Sequence, residues 1–404
     1  MDRYARLLVQ SGNYEGAVAA LERLLINPQA APSVRLDIAV LYYRMGSYAM
    51  AEAMLHDALQ DRRLTPEQQA LARKLLGDAQ RRNQVSQIDG SVLLALRHQS
   101  NPTYRTADAN VYSAGALGPL APADRPQSDA DATLGLRLAH VYDLQMQNYA
   151  SVVSTLGAYW VDYRSSSGSR LQANPANAAD LLSLEVTSGL RFRPLPVQAA
   201  GLSVRPHVLA SQVAARQHHY LRSHGLGLDV SYQHSEYTLA ELTIDSQQRS
   251  FANRIDLTDS QFIGGRLSSL RARLTHELAP GRVLVGELAA RRNDTARDYY
   301  DFDTLEARVS YSFSYANPFV AAGRALTTSL TLSAVDRRYG AADPAIKAGT
   351  TRHDKEWRLG LHQSVPLSDA WAALLVVERA RSRSSLPNFN YNNTAISGAL
   401  LYRF

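Results

Sequence analysis

Charged residues recur at every second position inside otherwise apolar runs. Arg271 and Arg273 fall in RLSSLRARLTHELA, Glu287 and Arg291 in RVLVGELAARRNDT, and Glu306 and Arg308 in LEARVSYSF. Glu356 and Arg358 flank the tryptophan of KEWRLGL, Asp229 sits in LGLDVSY, and Glu185 in LLSLEVTSGL. Alternation of period two puts these charges on one face of a strand and the apolar side chains between them on the other. A face carrying both arginines and carboxylates is not a dry core, where an unpaired charge is costly. It suits a wall against water. Arg271, Arg273, Arg291, Arg308 and Arg358, with Glu185, Asp229, Glu287, Glu306 and Glu356, are therefore candidates to line a hydrated lumen. They either guide a chain or ions through it or form a charge ladder that stabilises it.

Other chemistry is thin. The chain has 0 Cys, which removes disulfides, thiolate zinc sites and cysteine nucleophiles. His218, His219 and His224 invite a metal, but no acid cluster stands near them, and a structural or incidental role fits better. No G-x-S-x-G elbow, P-loop or G-x-G-x-x-G occurs. No catalytic, metal or cofactor-binding residues are expected, although a lumen or rim can assemble a triad from distant strands. The formal net charge is +6, but bases and acids are interleaved. That pattern fits a solvated surface and a polar lumen rather than a nucleic-acid stripe.

The elements that must position these charges are long alternating strands. About fourteen segments begin near residues 88, 131, 148, 180, 200, 222, 236, 261, 282, 302, 324, 352, 371 and 394. An even number is what a single-chain membrane barrel requires. Short linkers, such as those near Ser235, Ala279–Gly281 and Leu367–Asp369, alternate with longer ones, such as His98–Asp129 and Ser384–Asn393. Barrels pair short periplasmic turns with longer outer loops in this way. A soluble two-sheet domain is the alternative, but many segments run past its usual five or six residues. The last segment closes on an aromatic residue, with Ile396, Gly398, Leu400, Tyr402 and Phe404 on one face. That is a lipid-facing closing strand with interface aromatics. Mean hydropathy is only −0.26, as expected when apolar residues take alternate positions, and no run approaches the ~20 apolar residues of a spanning helix.

Residues 1–84 obey a different period. Gly12 matches Gly46, Tyr14 matches Tyr48, Ala17 matches Ala51, Leu21 matches Leu55 and Leu24 matches Ala58, each 46 − 12 = 34 apart. This is the offset of tetratricopeptide repeats, helix–turn–helix units that stack into concave binding surfaces. Ala39 and Tyr42 fall at the small and aromatic positions of a helix, and Pro28 follows a helix. Thr65, Pro66 and Gln68 predict the capped start of a further helix with an apolar stripe of Leu71, Leu75 and Ala79. Tyr42 and Tyr48 occupy framework positions, which leaves Tyr43 as the candidate partner contact. Met1–Gln10 reads as an amphipathic helix rather than an export signal, so a processed or truncated start is expected.

The layout resembles the surface lipoprotein assembly modifier (Slam) family, which joins a periplasmic tetratricopeptide domain to a fourteen-strand outer-membrane barrel. The resemblance covers nearly the whole chain, as 1–84 and 88–404. Arg352-His353-Asp354-Lys355-Glu356-Trp357 looks like the family's segment opening its twelfth strand. SRSSLPNFNY, from Ser382 to Tyr391, looks like its last outer loop, with Ser385-Leu386 where the family carries Ser-Asn. His98-Gln99-Ser100-Asn101-Pro102 looks like its turn after the first strand, with Gln99 where the family usually carries an acid. The resemblance implies a non-enzymatic translocator in the outer membrane of a Gram-negative cell. Its partners would be outer-membrane lipid, an exported protein cargo (a surface lipoprotein or small secreted protein) and, through the closing strand, the barrel assembly machinery. Arg352, Asp354 and Trp357 are then candidates for a gate or cargo contact, the alternative being a strand-end salt bridge with Trp357 in the interface belt. A polysaccharide export porin with periplasmic repeats and a passive diffusion porin are the rival expectations.

Overall fold

The computed structural model describes residues 2–10, 12–27, 31, 33–146, 149–167, 178–196, 198–216, 218–252, 258–318 and 324–404. Pro28 lies outside them. The chain forms two compact units, Met1–Gln87 with Val141–Ser151, and Ile88–His140 with Val152–Phe404.

Five helices occupy the front: α1 Asp2–Gln10, α2 Tyr14–Leu25, α3 Ser33–Arg44, α4 Tyr48–Gln60 and α5 Pro66–Arg82. The repeat shows in its turns. Gly12 at φ 75° joins α1 to α2 and Gly46 at φ 78° joins α3 to α4. Both are left-handed positions that a Cβ would strain. The matched Ala17 and Ala51 are fully buried, as are Leu21 and Leu55 beside them. One core gathers Ala17, Leu21, Ile38 and Leu41; the next gathers Leu36, Ala39, Leu55 and Ala72. Thr65 accepts from the Gln68 amide at 3.3 Å while the Gln68 side chain accepts from the Thr65 amide at 3.1 Å. The capping box therefore forms as predicted. The stripe of α5 differs by one residue. Ala72 and Ala79 are buried with Leu75 and Leu76 against them, whereas Leu71 is 46% exposed. One helical step of ~100° turns position 71 away from the face shared by 72, 75, 76 and 79.

Fourteen strands close the second architecture: β1 Ser86–Gln99, β4 Asp129–Asp143, β5 Ala150–Tyr163, β6 Leu181–Phe192, β7 Leu202–Ala215, β8 His218–Ser235, β9 Thr238–Phe251, β10 Gly265–Ala279, β11 Arg282–Thr295, β12 Phe302–Tyr315, β13 Leu326–Tyr339, β14 His353–Pro366, β15 Trp371–Ser384 and β16 Tyr391–Arg403. They follow sequence order round the barrel, and β1 pairs antiparallel with β16. The shortest has 12 residues. At a rise of ~3.3 Å and a tilt near ~45°, that length spans a hydrocarbon layer of ~25–30 Å. A small hairpin, β2 Asn110–Ser113 with β3 Ala116–Pro119, stands in the first long loop; the sequence reading has no strand there. His218 and His219 open β8.

Register sorts the side chains. Between β11 and β12, Leu288 faces Ala307 and Ala290 faces Leu305 on one side, while Glu287 faces Arg308 and Ala289 faces Glu306 on the other. The first set is the outer wall: Leu288 is 58% and Leu305 61% exposed. An apolar wall of this kind is what lipid covers. Ile396, Leu400, Tyr402 and Phe404 share that wall through their partners on β1 and β15. At the short-turn end, Trp371 lies 4.8 Å from Tyr402 and Tyr402 lies 5.8 Å from Phe404 by ring centres. Tyr311, Phe313 and Tyr315 continue the aromatic row. Gly90 and Phe404 exchange backbone hydrogen bonds of 2.9 and 3.1 Å. A Cβ at Gly90 would meet the tip of the Phe404 ring, so a larger residue there requires that ring to shift.

Candidate functional site

The inner face of the barrel carries the charge. Glu306 on β12 is buried between two arginines, 3.1 Å from Arg291 and 2.8 Å from Arg308. Arg273 lies 3.8 Å from Glu241 on the neighbouring β9. Asp229 takes Arg205 at 3.2 Å, His207 at 3.3 Å and the Thr243 hydroxyl at 2.9 Å. Arg358 pairs with Glu356, which also accepts from the Tyr391 hydroxyl at 2.5 Å. Between the charges run hydroxyl pairs, such as Thr155 with Thr187 at 2.8 Å and Ser312 with Ser329 at 2.7 Å. These rungs follow from register: alternate residues on adjacent strands meet face to face.

Two cavities lie against this wall. One, about 490 Å³, is lined by Arg97, Tyr104, Glu287, Arg308 and Arg358. The other, about 450 Å³, is lined by Glu185, Asp229, Arg271, Arg273 and Arg291. The ten sequence-derived lumen candidates thus all fall on the inner face, and eight of them border these cavities. Glu306 and Glu356 act instead as counter-charges to bordering arginines.

The Arg352, Asp354 and Trp357 set does not come together. Arg352 binds Asp354 at 2.7 Å and lies over the rings of Tyr339 at 4.5 Å and Phe389 at 3.3 Å. Trp357 is an odd number of residues further on and faces outward, 57% exposed, opposite Ala334 and Arg381. Tyr43 donates from its hydroxyl to Asp78 on α5 and meets the Tyr48 ring at 5.5 Å. Burial, and then that bond, raise its pKa above the usual phenolic range. Among the described residues no group of three His, Cys, Asp or Glu is arranged to hold a metal ion.

Sequence reasoning missed the mouth of the barrel at its long-loop end. The β2–β3 loop is held by two other long loops. Ala114 and Gly115 amides donate to the Ala345 and Ile346 carbonyls, both at 2.8 Å. Lys347 reaches the Tyr112 hydroxyl at 3.0 Å, and Asn390 reaches Asp108 at 2.6 Å. Tyr104, which borders the first cavity, packs on Tyr391 at 4.9 Å. The asparagines of PNFNY were the available signal, since an amide side chain can satisfy a neighbouring backbone in both directions. Below the mouth, the buried Gln99 donates to Asp131 at 3.2 Å and accepts from Asn393 at 3.1 Å, while Arg97 reaches Asp131 at 2.9 Å. This network crosses the seam between β16, β1 and β4.

The tetratricopeptide repeat family matches residues 8–75. No curated protein matches the sequence. Among solved structures, the chain is similar to a deltaS2 mutant of the TodX monoaromatic hydrocarbon channel, at 11% identity over 78% of this chain and 90% of that one, with a TM-score of 0.40. It is similar to an anion-selective porin from Comamonas acidovorans, at 11% identity over 79% and 99% with a TM-score of 0.39. It is also similar to a bacterial polysaccharide outer membrane secretin, at 10% identity over 78% and 98% with a TM-score of 0.36. This chain joins tetratricopeptide-type helical repeats to a closed fourteen-strand antiparallel barrel of the outer-membrane type.

Proposed function

We propose that this protein is a gated outer-membrane channel for a hydrophilic substrate. The observation that carries the proposal is the inner wall, where arginines, carboxylates and hydroxyls alternate with an outward apolar face on the same strands. Such a wall keeps a lumen wet and lets polar cargo exchange hydration for protein contacts. The bonded outer loops supply the gate. The repeat helices, residues 1–84 in this proposal, sit in the periplasm and hold a partner, and 88–404 form the conduit. Nothing in this role requires a catalytic step or a cofactor.

Two finer readings differ in cargo. Passage of small solutes or a polysaccharide is supported by the hydroxyl pairs and charge rungs, which offer many weak polar contacts and no single tight site. Protein export of the Slam kind is supported by the order of repeats before barrel and by a mouth that is clamped rather than open. In that reading Tyr43 is a partner contact and the strand ending at Phe404 is presented to the barrel assembly machinery. Single-channel recording in planar bilayers tests the shared proposal: brief, infrequent openings are expected, and a steady open conductance would reject the gate. Deletion in the native host, followed by surface and supernatant proteomics and glycan staining, assigns the cargo.

A further inference from the structure

Several outward charges elsewhere on the barrel are paired. Arg292 binds Asp294 at 2.9 Å, and Arg338 and His353 bind Asp336 at 3.0 and 2.9 Å. The outer faces of β14 and β15 instead gather several cations side by side. Lys355 stands opposite Arg383, Trp357 opposite Arg381 and Leu359 opposite Arg379. Directly opposed residues share a face, so the three arginines point outward with Trp357. Their neighbours Ala380 and Ser382 are buried on the inner side. On the flanking strands, Arg379 and Arg381 meet Thr394 and Asn392, neither of them an acid, while Lys355 meets Asp336, which already binds Arg338 and His353. Lys355, Arg379, Arg381 and Arg383 are exposed, and none has an ion pair or side-chain hydrogen bond among the described residues. Spacings of ~5 Å across the strands and ~7 Å along them place four positive charges in one small patch.

Toward the barrel's middle the outward face of the same strands becomes mostly apolar. Leu359 and Leu361 on β14, Leu375 and Val377 on β15 and Ile396 on β16 share the outward face. On β14, Trp357 lies between Lys355 and Leu359, opposite Arg381, and tryptophan favours the depth of a membrane interface. Unpaired guanidinium groups at that depth lose hydration and need an anion. Their planar forks match phosphate oxygens. A free phosphate would use the cations alone; the apolar strip continuous with them is the surface an acyl chain covers.

We propose that Lys355, Arg379, Arg381 and Arg383 form a binding site for the phosphate-bearing headgroup of a membrane lipid, whose acyl chains lie along Leu359, Leu375 and Ile396. The site is independent of what passes through the lumen. Native mass spectrometry of the detergent-solubilised full chain, titrated with dioleoyl phosphatidic acid, tests it. Retention at least ~10-fold above dioleoyl phosphatidylcholine is expected, since each basic residue near a membrane surface attracts anionic lipid. The triple variant R379Q/R381Q/R383Q should lose that preference, while R292Q, which removes a cation already paired, should keep it. Equal retention of the two lipids by the unaltered chain overturns the proposal, and this arm needs no variant to fold. Displacement of the bound lipid by an equal concentration of inorganic phosphate overturns it too, because the site would then serve a free anion.

Discussion

Asn388 and Tyr112 hold each other by two hydrogen bonds across 276 residues of chain. The Tyr112 amide donates to Asn388 Oδ1 at 3.0 Å, and Asn388 Nδ2 donates to the Tyr112 carbonyl at 2.9 Å. The side-chain amide thereby acts as one more strand residue against the edge of the β2–β3 hairpin. It joins the first long loop to the last, and Lys347 joins the same tyrosine to a third. In the proposed channel this hairpin, joined to two other long loops, is the gate, and its bonds set the opening energy.

Replacing Asn388 with alanine removes both bonds and leaves the loop backbone intact. Each bond is worth about 0.5–1.5 kcal/mol net, so the clamp weakens by about 2 kcal/mol and the open fraction rises roughly 30-fold. Open probability in planar bilayers measures this directly. If the variant and the unaltered protein show the same open probability, the loops do not gate.

Gln99 answers two neighbours of opposite need: Asp131 accepts from its amide nitrogen, and Asn393 donates to its amide oxygen. A carboxylate at this buried position could still accept from Asn393, but it would face the Asp131 carboxylate. Gln99→Glu is therefore expected to cost about 1–3 kcal/mol at the seam and to lower the temperature at which the folded band disappears in unheated-to-heated gel series. Adding Asp131→Asn should restore much of the loss, since the second amide can donate to the new carboxylate. Absence of that recovery would show that volume rather than charge sets the cost.

The alternation that lipid and water impose on opposite faces of one strand was legible. Strands expected near 302 and 371 begin at Phe302 and Trp371, because period two survives local variation. The helical offset of 34 was legible for a similar reason: Gly12 and Gly46 need left-handed backbone, and Ala17 and Ala51 need small side chains. The mouth was not legible. Its bonds join Tyr112 to Asn388 and Gly115 to Ile346, and loops without periodicity carry no sign of such distant partners. Parity alone could have separated Asp354 from Trp357, since residues three apart on a strand point to opposite faces. Which arginine meets which acid depends on register, and no single strand encodes it.

Glu306 offsets Arg291 and Arg308 together. Glu306→Gln keeps the volume and leaves two guanidinium groups without their shared counter-charge at the lumen wall. The local potential becomes more positive, so anions are favoured. Combined with Asn388→Ala to raise the open time, the substitution should shift the reversal potential in a potassium chloride gradient toward the chloride value. An unchanged reversal potential would mean that permeating ions do not pass this wall.

The Tyr43–Asp78 contact makes a pH prediction for the helical unit. The tyrosine hydroxyl first, then Arg82 and Arg81, hold the Asp78 carboxyl below its usual 3.8 against the opposing effect of burial. The folded state therefore binds this proton less readily than the unfolded chain. The resulting stabilisation is present above 3.8 and is lost as pH falls through the lowered value. Tyr43 is shifted the other way, above 10.0, by burial and then by its bond to Asp78. Its contribution is complete below 10.0 and is lost as pH rises through the raised value. The denaturation midpoint of the helices should therefore form a plateau that falls at both ends. Tyr43→Phe should lower the plateau by about 1 kcal/mol and flatten both edges. Denaturant titration followed by helical circular dichroism across pH checks this. A variant that keeps both edges would assign them to other groups.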